Sequence, residues 1–281
     1  MPTLSLPQGP HDSAQLYLDL LKRCLINWIY GETEEKPLKR KGVFQRTLIS
    51  ALSAKNMRLA RLKPFNAERR LEGLDWPPWA HTMIGWKRLD NFQHCIETAL
   101  REHIPGDIIE CGVWRGGASI LARAVLKAHS ITDRRVWLAD SFRGLPPPRR
   151  EFPHDADSDL HTNPFLAVSR EQVQRNFERY GLLDEQVQFL EGWFRDTLPK
   201  AELQQLAVVR LDGDMYESTM DALANLYPKL SPGGFLIVDD YGAVPACKEA
   251  VQDYRRQHDI QEEIIPIDWA GVFCRKSVNG R

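Results

Sequence analysis

Asp212, Asp239 and Asp240 close two short apolar runs, and this placement carries the clearest chemical signal in the chain. Ala207–Leu211 (AVVRL) reads as a buried parallel strand that stops at Asp212-Gly213-Asp214. Phe235–Val238 reads as a second strand that stops at Asp239-Asp240. Between them Met220, Leu223, Leu226 and Leu230 recur at helical spacing. Ser218 or Thr219 is the expected cap of that helix, and Pro232-Gly233-Gly234 its breaker. In an open parallel sheet the carboxyl ends of the strands form the ligand crevice, so neighbouring strands would bring the three acids together there. Like charges at one point repel unless a cation or a shared proton offsets them. Short oxygen-only side chains suit Mg²⁺, Ca²⁺ or Mn²⁺. The competing reading is that each Asp caps a helix or turn.

A second signal is the turn Glu110-Cys111-Gly112-Val113-Trp114-Arg115-Gly116-Gly117. Its glycines fit neither GxGxxG nor GxxxxGK[ST], so neither a dinucleotide turn nor a P-loop is expected. ExGxxxG after a first strand is instead the form of S-adenosylmethionine (SAM) enzymes. Glu110 can accept from the methionine ammonium, and backbone groups around Gly112 can hold the carboxylate. Asp140 ends the next strand, where an acid can accept from two ribose hydroxyls. That role suits its spacing better than a plain cap. Gly192-Trp193 follows the third strand, where an adenine edge would rest, with Trp193 either packed on the ring or structural.

The elements that must position these groups alternate strand and helix from residue 105 onward. Strands are expected at Asp107–Glu110, Val136–Ala139 and Val187–Leu190, ahead of the two Asp-ended strands. Helices are expected at Ala118–His129, Val168–Tyr180 and Ala246–His258. Glu263–Ile267 and Ala270–Arg275 read as an antiparallel closing pair. Residues 149–168 read as an irregular insertion or flap. This is an α/β doubly wound, mostly parallel sheet with a reversed edge strand. Upstream, a cap at Asp12 or Ser13 opens a helix to about Tyr30, residues 31–42 read as a charged loop, 44–62 as a helix, and Leu89–Glu102 as an amphipathic helix. Residues 1–12 are expected to be loose. Trp76, Trp79 and Trp86 either line a pocket or pack. His81, His94, His103 and His154 are candidates for a metal-free base, each read first as packing or surface.

Composition narrows the class. Hydrophobic content of 43% with 27% charged residues is ordinary for a soluble domain. A net charge of −1 offers no broad footprint for nucleic acid or an anionic membrane. The five scattered cysteines hold no CxxC pair, which fits reduced thiols and a cytoplasmic protein. No secretory signal or membrane-length apolar run is read.

Taken together, TMIGWKRLDN (82–91), IIECGVWRGGASIL (108–121), VWLADSFRGLPPP (136–148), NFERYGLLDEQVQFLEGWFRDTLP (176–199), the stretch 211–242 and IDWAGVFCR (267–275) resemble the macrocin O-methyltransferase family. YLDLLKRCLINWIYG (17–31) resembles its N-terminal helix. Members methylate sugar hydroxyls on macrolides and on aminocoumarin antibiotics. The resemblance implies the class I SAM-dependent methyltransferase fold, with residues 105–281 as the SAM-binding core and 1–104 as a helical lid that recognises the acceptor. It implies Mg²⁺ on Asp212, Asp239 and Asp240, with Asp212 as general base. It implies SAM held by Thr82 and Met83, by Glu110, Cys111, Gly112, Val113, Trp114 and Ser119, by Asp140, Ser141, Phe142, Arg143 and Gly144, and by Gly192 and Trp193. A homodimer and a small glycosylated acceptor follow from the same resemblance. Arg143 departs from it, because members more often carry Glu there. Two other classes are weighed: a catechol-type metal-dependent O-methyltransferase, and a non-catalytic protein that keeps the fold.

Overall fold

A computed structural model describes residues 13–30, 34–37, 42–57 and 59–278. Asp12 and the stretch 1–12 lie outside the described residues. In chain order the elements are α1 (Ser13–Leu25), β1 (Glu34–Pro37), α2 (Val43–Ser53), β2 (Ala60–Lys63), α3 (Ala67–Leu71), α4 (Gly85–Arg101), β3 (Asp107–Cys111), α5 (Gly117–Ala128), β4 (Val136–Asp140), α6 (Arg170–Arg179), β5 (Val187–Glu191), α7 (Phe194–Thr197), β6 (Leu206–Leu211), α8 (Tyr216–Leu226), β7 (Leu230–Val238), α9 (Pro245–Gln257), β8 (Ile265–Pro266) and β9 (Val272–Arg275).

The main sheet has seven strands in the order β5-β4-β3-β6-β7-β9-β8. β3 to β7 are all parallel, and β9 runs against both β7 and β8. The chain winds outward from β3 to β5, then returns to β6 beside β3, so the topological switch lies between β3 and β6. Alternation along each strand feeds two core layers. Ile108, Leu138 and Val208 face α1, α4, α5 and α6 through Leu18, Phe92, Leu121 and Phe177. Ile109, Ala139 and Val209 face α8 and α9 through Leu223, Leu226, Val251 and Tyr254. At roughly 1.5–3 kcal/mol per fully buried large apolar side chain, these layers dominate what holds the fold together. α1 and α4, from the stretch expected as a lid, share the first layer.

The register sets the site. Cys111 pairs with Leu211, and Leu211 with Val238, so the strands end level with one another. The Asp212 N–H donates to Cys111 O at 2.8 Å, and the Asp239 N–H to Leu211 O at 2.8 Å. Gly112 turns away at φ 86°, and a Cβ there would stand 1.8 Å from Asp212 O. Only glycine lets the turn pass so close to the next strand end.

α1 stops at Leu25, short of the expected Tyr30, and three further expectations change. Residues 44–62 are not one helix: α2 ends at Ser53, Asn56 takes a left-handed turn (φ 54°), and β2 pairs antiparallel with β1 inside the stretch expected as loop. Pro232-Gly233-Gly234 does not end a helix but lies within β7, which starts at Leu230. There the Gly233 N–H donates to Lys276 O and the Lys276 N–H to Gly234 O, both at 2.8 Å. Ser218 and Thr219 lie inside α8, whose N-cap is Met215 with no side-chain cap of its own. The cap comes from the insertion: Asp155 accepts the Tyr216 N–H at 2.7 Å and the Glu217 N–H at 3.0 Å. A carboxylate at a helix N-terminus satisfies orphan donors and meets the positive end of the helix dipole.

Candidate functional site

One cavity opens at the carboxyl ends of β3, β4, β5 and β6. Met83, Gly112, Trp114, Asp140, Ser141, Gly144, Gly192, Trp193 and Asp212 border it, as do Asp214, Arg195 and Glu217. Leu145, Pro146 and Leu166 close it from the insertion side. Of the other expected cofactor residues, Thr82, Glu110, Cys111, Val113, Ser119, Phe142 and Arg143 are not among those bordering it. Val113 N–H and Phe142 N–H each donate at 2.7 Å to a different oxygen of Asp140. Burial pushes that carboxyl up, and these amide hydrogen bonds work against the rise. Ser141 Oγ donates to Gly144 O at 2.6 Å and accepts from the Arg143 N–H at 3.0 Å, while the Arg143 side chain is exposed. Thr82 is buried, with Oγ1 accepting from the Ile84 N–H at 3.4 Å. Cys111 is wholly buried.

Glu110 is turned inward. Ser119 Oγ donates to one of its oxygens, and Arg210 Nη1 donates to the other at 2.7 Å. Burial raises Glu110 to about 7, with Arg210 and Ser119 opposing.

The acids divide into two groups. Carboxylate oxygens of Asp212, Asp214 and Asp240 lie within 4.8 Å of one another. Burial and mutual repulsion raise Asp212 to about 6 and Asp214 to about 7, and push Asp240 well up. Asp240 Oδ2 is buried with no hydrogen-bond partner. A buried orphan acceptor in an all-carboxylate set fits a hard divalent cation. Asp239 instead accepts from Arg88 Nη1 on one oxygen and from Arg210 Nη2 on the other. Arg210 Nη1 also reaches Asp212 Oδ2 at 3.0 Å, and Arg88 Nε reaches Asp268 Oδ2 at 3.0 Å. A chain of ion pairs, Glu110–Arg210–Asp239–Arg88–Asp268, therefore runs beneath the cluster. Asp239 borders the cluster with both oxygens engaged by arginine.

Asp214, Arg88 and Arg210 were absent from the residues singled out in the sequence. Arg210 carried a signal, since it is a charge inside an otherwise apolar strand. Asp214 follows Asp212 across one glycine, and its left-handed φ of 55° turns it back toward the cluster. Arg88 had no local signal; only the fold brings α4 to the end of β7.

None of the four histidines borders this cavity. His94 and His103 are exposed, and His154 stacks on Tyr216 with centroids 4.4 Å apart. His81 shares a hydrogen bond of 2.7 Å between Nδ1 and the Tyr180 hydroxyl, and lines a second cavity with Trp79 and Arg115. Trp76 stacks on Phe165 at 5.7 Å, and Trp86 packs under Lys22. Burial, with Arg115 and Arg179, holds His81 at about 4, below its ordinary 6.5. The unfolded chain thus takes up a proton near pH 6.5 that the folded chain refuses until about pH 4, so His81 lowers stability across that window on acidification. Glu110, Asp212 and Asp214, raised to about 7, 6 and 7, act in the opposite direction over the same window. Relative to wild type, the urea midpoint of His81→Gln should therefore gain as pH falls from 6.5 to 4. Equal pH dependence in the two proteins would remove His81 as a contributor.

Among the described residues no helix is long and apolar enough to cross a membrane. The macrocin-O-methyltransferase (TylF) family model matches residues 14–276. The chain is 50% identical over 273 residues to mycinamicin III 3''-O-methyltransferase of Micromonospora griseorubida, covering 96% of this chain and 99% of that protein. It is 52% identical over 267 residues to 8-demethyl-8-(2,3-dimethoxy-alpha-L-rhamnosyl)-tetracenomycin-C 4'-O-methyltransferase of Streptomyces olivaceus, covering 94% of each. The solved O-methyltransferase NovP superposes with a TM-score of 0.83 at 47% identity, covering 94% of this chain and all of that one. With a seven-stranded sheet whose β9 is reversed, a glycine turn after its first strand, and full-length matches of this kind, the chain belongs to the macrocin O-methyltransferase family and is an O-methyltransferase.

Proposed function

We propose that this enzyme transfers the methyl group of SAM to a sugar hydroxyl of a glycosylated natural product, with the help of Mg²⁺, in antibiotic biosynthesis. The observation that carries the reading is the convergence of Asp212, Asp214 and Asp240 at the edge of the cavity bordered by Gly112, Asp140 and Gly192. The named activities of the relatives, on macrolide and rhamnosyl substrates, support the acceptor class.

SAM supplies an electrophilic methyl when bound. Asp140 would accept from its ribose, Trp193 would cover its base, and the Gly112 turn would admit its amino-acid end. Met83 and Trp114 border the same space. Glu110, held by Arg210 and Ser119, supports that turn from behind. A bound cation would favour the alkoxide of the acceptor. Asp212, Asp214 and Asp240 would hold it as they are placed, and Asp239 would join by yielding one arginine contact. Asp212 would take the hydroxyl proton, and Asp214 is the second candidate because it shares the cluster. The rest of the rate would come from orientation of the oxygen toward the methyl carbon. Residues 32–75 and the rest of the N-terminal stretch would select the acceptor, in a cytoplasmic homodimer that needs neither nucleic acid nor membrane.

Isothermal titration of SAM and of Mg²⁺ tests this on wild type and on Asp240→Asn. SAM should bind both proteins, and Mg²⁺ only the wild type. Glycosides should then be methylated in preference to catechols. A wild type that binds no SAM would sink the reading. A preference for catechols would move the acceptor to phenols, and SAM binding without turnover on either class would leave a non-catalytic protein.

A further inference from the structure

The insertion between β4 and α6 does more than roof the cavity. Its residues 149–155 wrap the first turn of α8. Asp155 is 1% exposed, and its carboxylate takes both the Tyr216 and the Glu217 N–H. Glu217, also 1% exposed, receives Arg149 as a fork, Nη2 to Oε1 at 2.7 Å and Nε to Oε2 at 3.0 Å. Arg195 adds Nη1 to Oε1 at 3.1 Å. Phe152 and His154 lie against the Tyr216 ring, and the Tyr216 hydroxyl donates to Asp253 Oδ2 at 2.8 Å. At its other end the insertion is held by Trp114, whose indole N–H donates to Phe165 O at 2.8 Å. Between these anchors Leu145, Pro146 and Leu166 line the cavity.

The turn that Asp155 caps begins directly after Asp212-Gly213-Asp214. Two of the three clustered carboxylates therefore hang on a loop whose far end is fixed by a residue of the roof. Resting on the function proposed above, we propose that Asp155 is a positioning residue for methyl transfer: it ties closure of the roof over the cofactor to the placement of Asp212 and Asp214. Asp155 touches neither; it acts through the α8 N-terminus. A carboxylate suits both donors, because one oxygen serves each N–H and the helix dipole favours its charge. An amide keeps one acceptor and opposes an NH₂ to the other N–H, so Asp155→Asn breaks half of the cap without opening a cavity.

The test uses Asp155→Asn beside Arg149→Gln, which loosens the same attachment from a half-exposed position while Arg195 still serves Glu217. Three quantities are read: SAM affinity by titration without metal, Mn²⁺ affinity by titration without SAM, and amide hydrogen exchange of 145–166 and 212–218. Both variants should weaken SAM and Mn²⁺ together, Asp155→Asn by about tenfold each. In wild type SAM should slow exchange in both segments, and in the variants the protection of 212–218 should be lost. A lower melting temperature with wild-type SAM and Mn²⁺ affinities and intact protection would make Asp155 a plain helix cap and overturn the proposal. Should the wild type bind no SAM, the functional reading fails. The Mn²⁺ affinities and the exchange of 212–218 still decide the tie between roof and loop.

Discussion

Asp212→Asn should lower methyl transfer by about 10³-fold or more while SAM affinity stays within about twofold of wild type. Asn keeps the shape of the side chain and one acceptor for Arg210 Nη1, which stands 3.0 Å from Asp212 Oδ2. The ion-pair chain beneath the cluster therefore survives. What disappears is a negative charge at the mouth of the cavity, and with it the proposed proton acceptor and one proposed ligand of a cation. Mg²⁺ titration should show a loss as large as the loss in turnover if the metal role dominates. If Asp212 acts chiefly as base, turnover should fall far more than Mg²⁺ affinity. Asp214→Asn run in parallel separates the two carboxylates. Full turnover in Asp212→Asn, with collapse in Asp214→Asn, would transfer the base to Asp214.

Arg210→Met should destabilise the fold by about 3–5 kcal/mol, more than any single change on the rim of the cavity. Arg210 is 1% exposed, yet it serves Glu110, Asp212 and Asp239 at once. Met keeps an unbranched apolar stem but is shorter and supplies neither charge nor donor. Glu110 and Asp239, both nearly fully buried, would be left facing each other across a strand with little to offset them. Removing one member of a buried pair costs far more than the pair contributes relative to an apolar replacement, because the orphaned charge stays buried. Urea unfolding of the variant gives the number. A loss under about 1 kcal/mol would mean that the carboxylates find protons or water instead of Arg210.

The parallel strands themselves were readable because strands buried on both faces leave short, dense apolar runs that stop abruptly. AVVRL and FLIV show this, and the acids at their ends inherit the position. Closely spaced final strands likewise announced the reversal at β9. The partners of those acids were not readable. Arg88 lies far from Asp239 in sequence, and no local pattern ties them. The cap of α8 was misplaced for the same reason: Ser218 and Thr219 are good local caps, but Asp155, distant in the chain, reaches the helix end first. The segment 44–62 was misread because its apolar residues serve α2 and then a strand within one stretch, and periodicity alone does not reveal the change of element.

The pairing of β1 with β2 sets Glu34 directly opposite Lys63. The two ends of the stretch between them therefore lie side by side. Further along, Arg70 is pinned to Asp75 and to the end of α1 through Ile26 O at 2.5 Å, so the chain is committed to the core from there on. A segment with adjacent ends is a natural cassette: it can be exchanged between relatives at Glu34 and Lys63 without severing the ion pairs that Arg88 makes with the sheet. If this stretch selects the acceptor as proposed, chimaeras joined at those two residues should change acceptor preference while SAM affinity stays that of the parent.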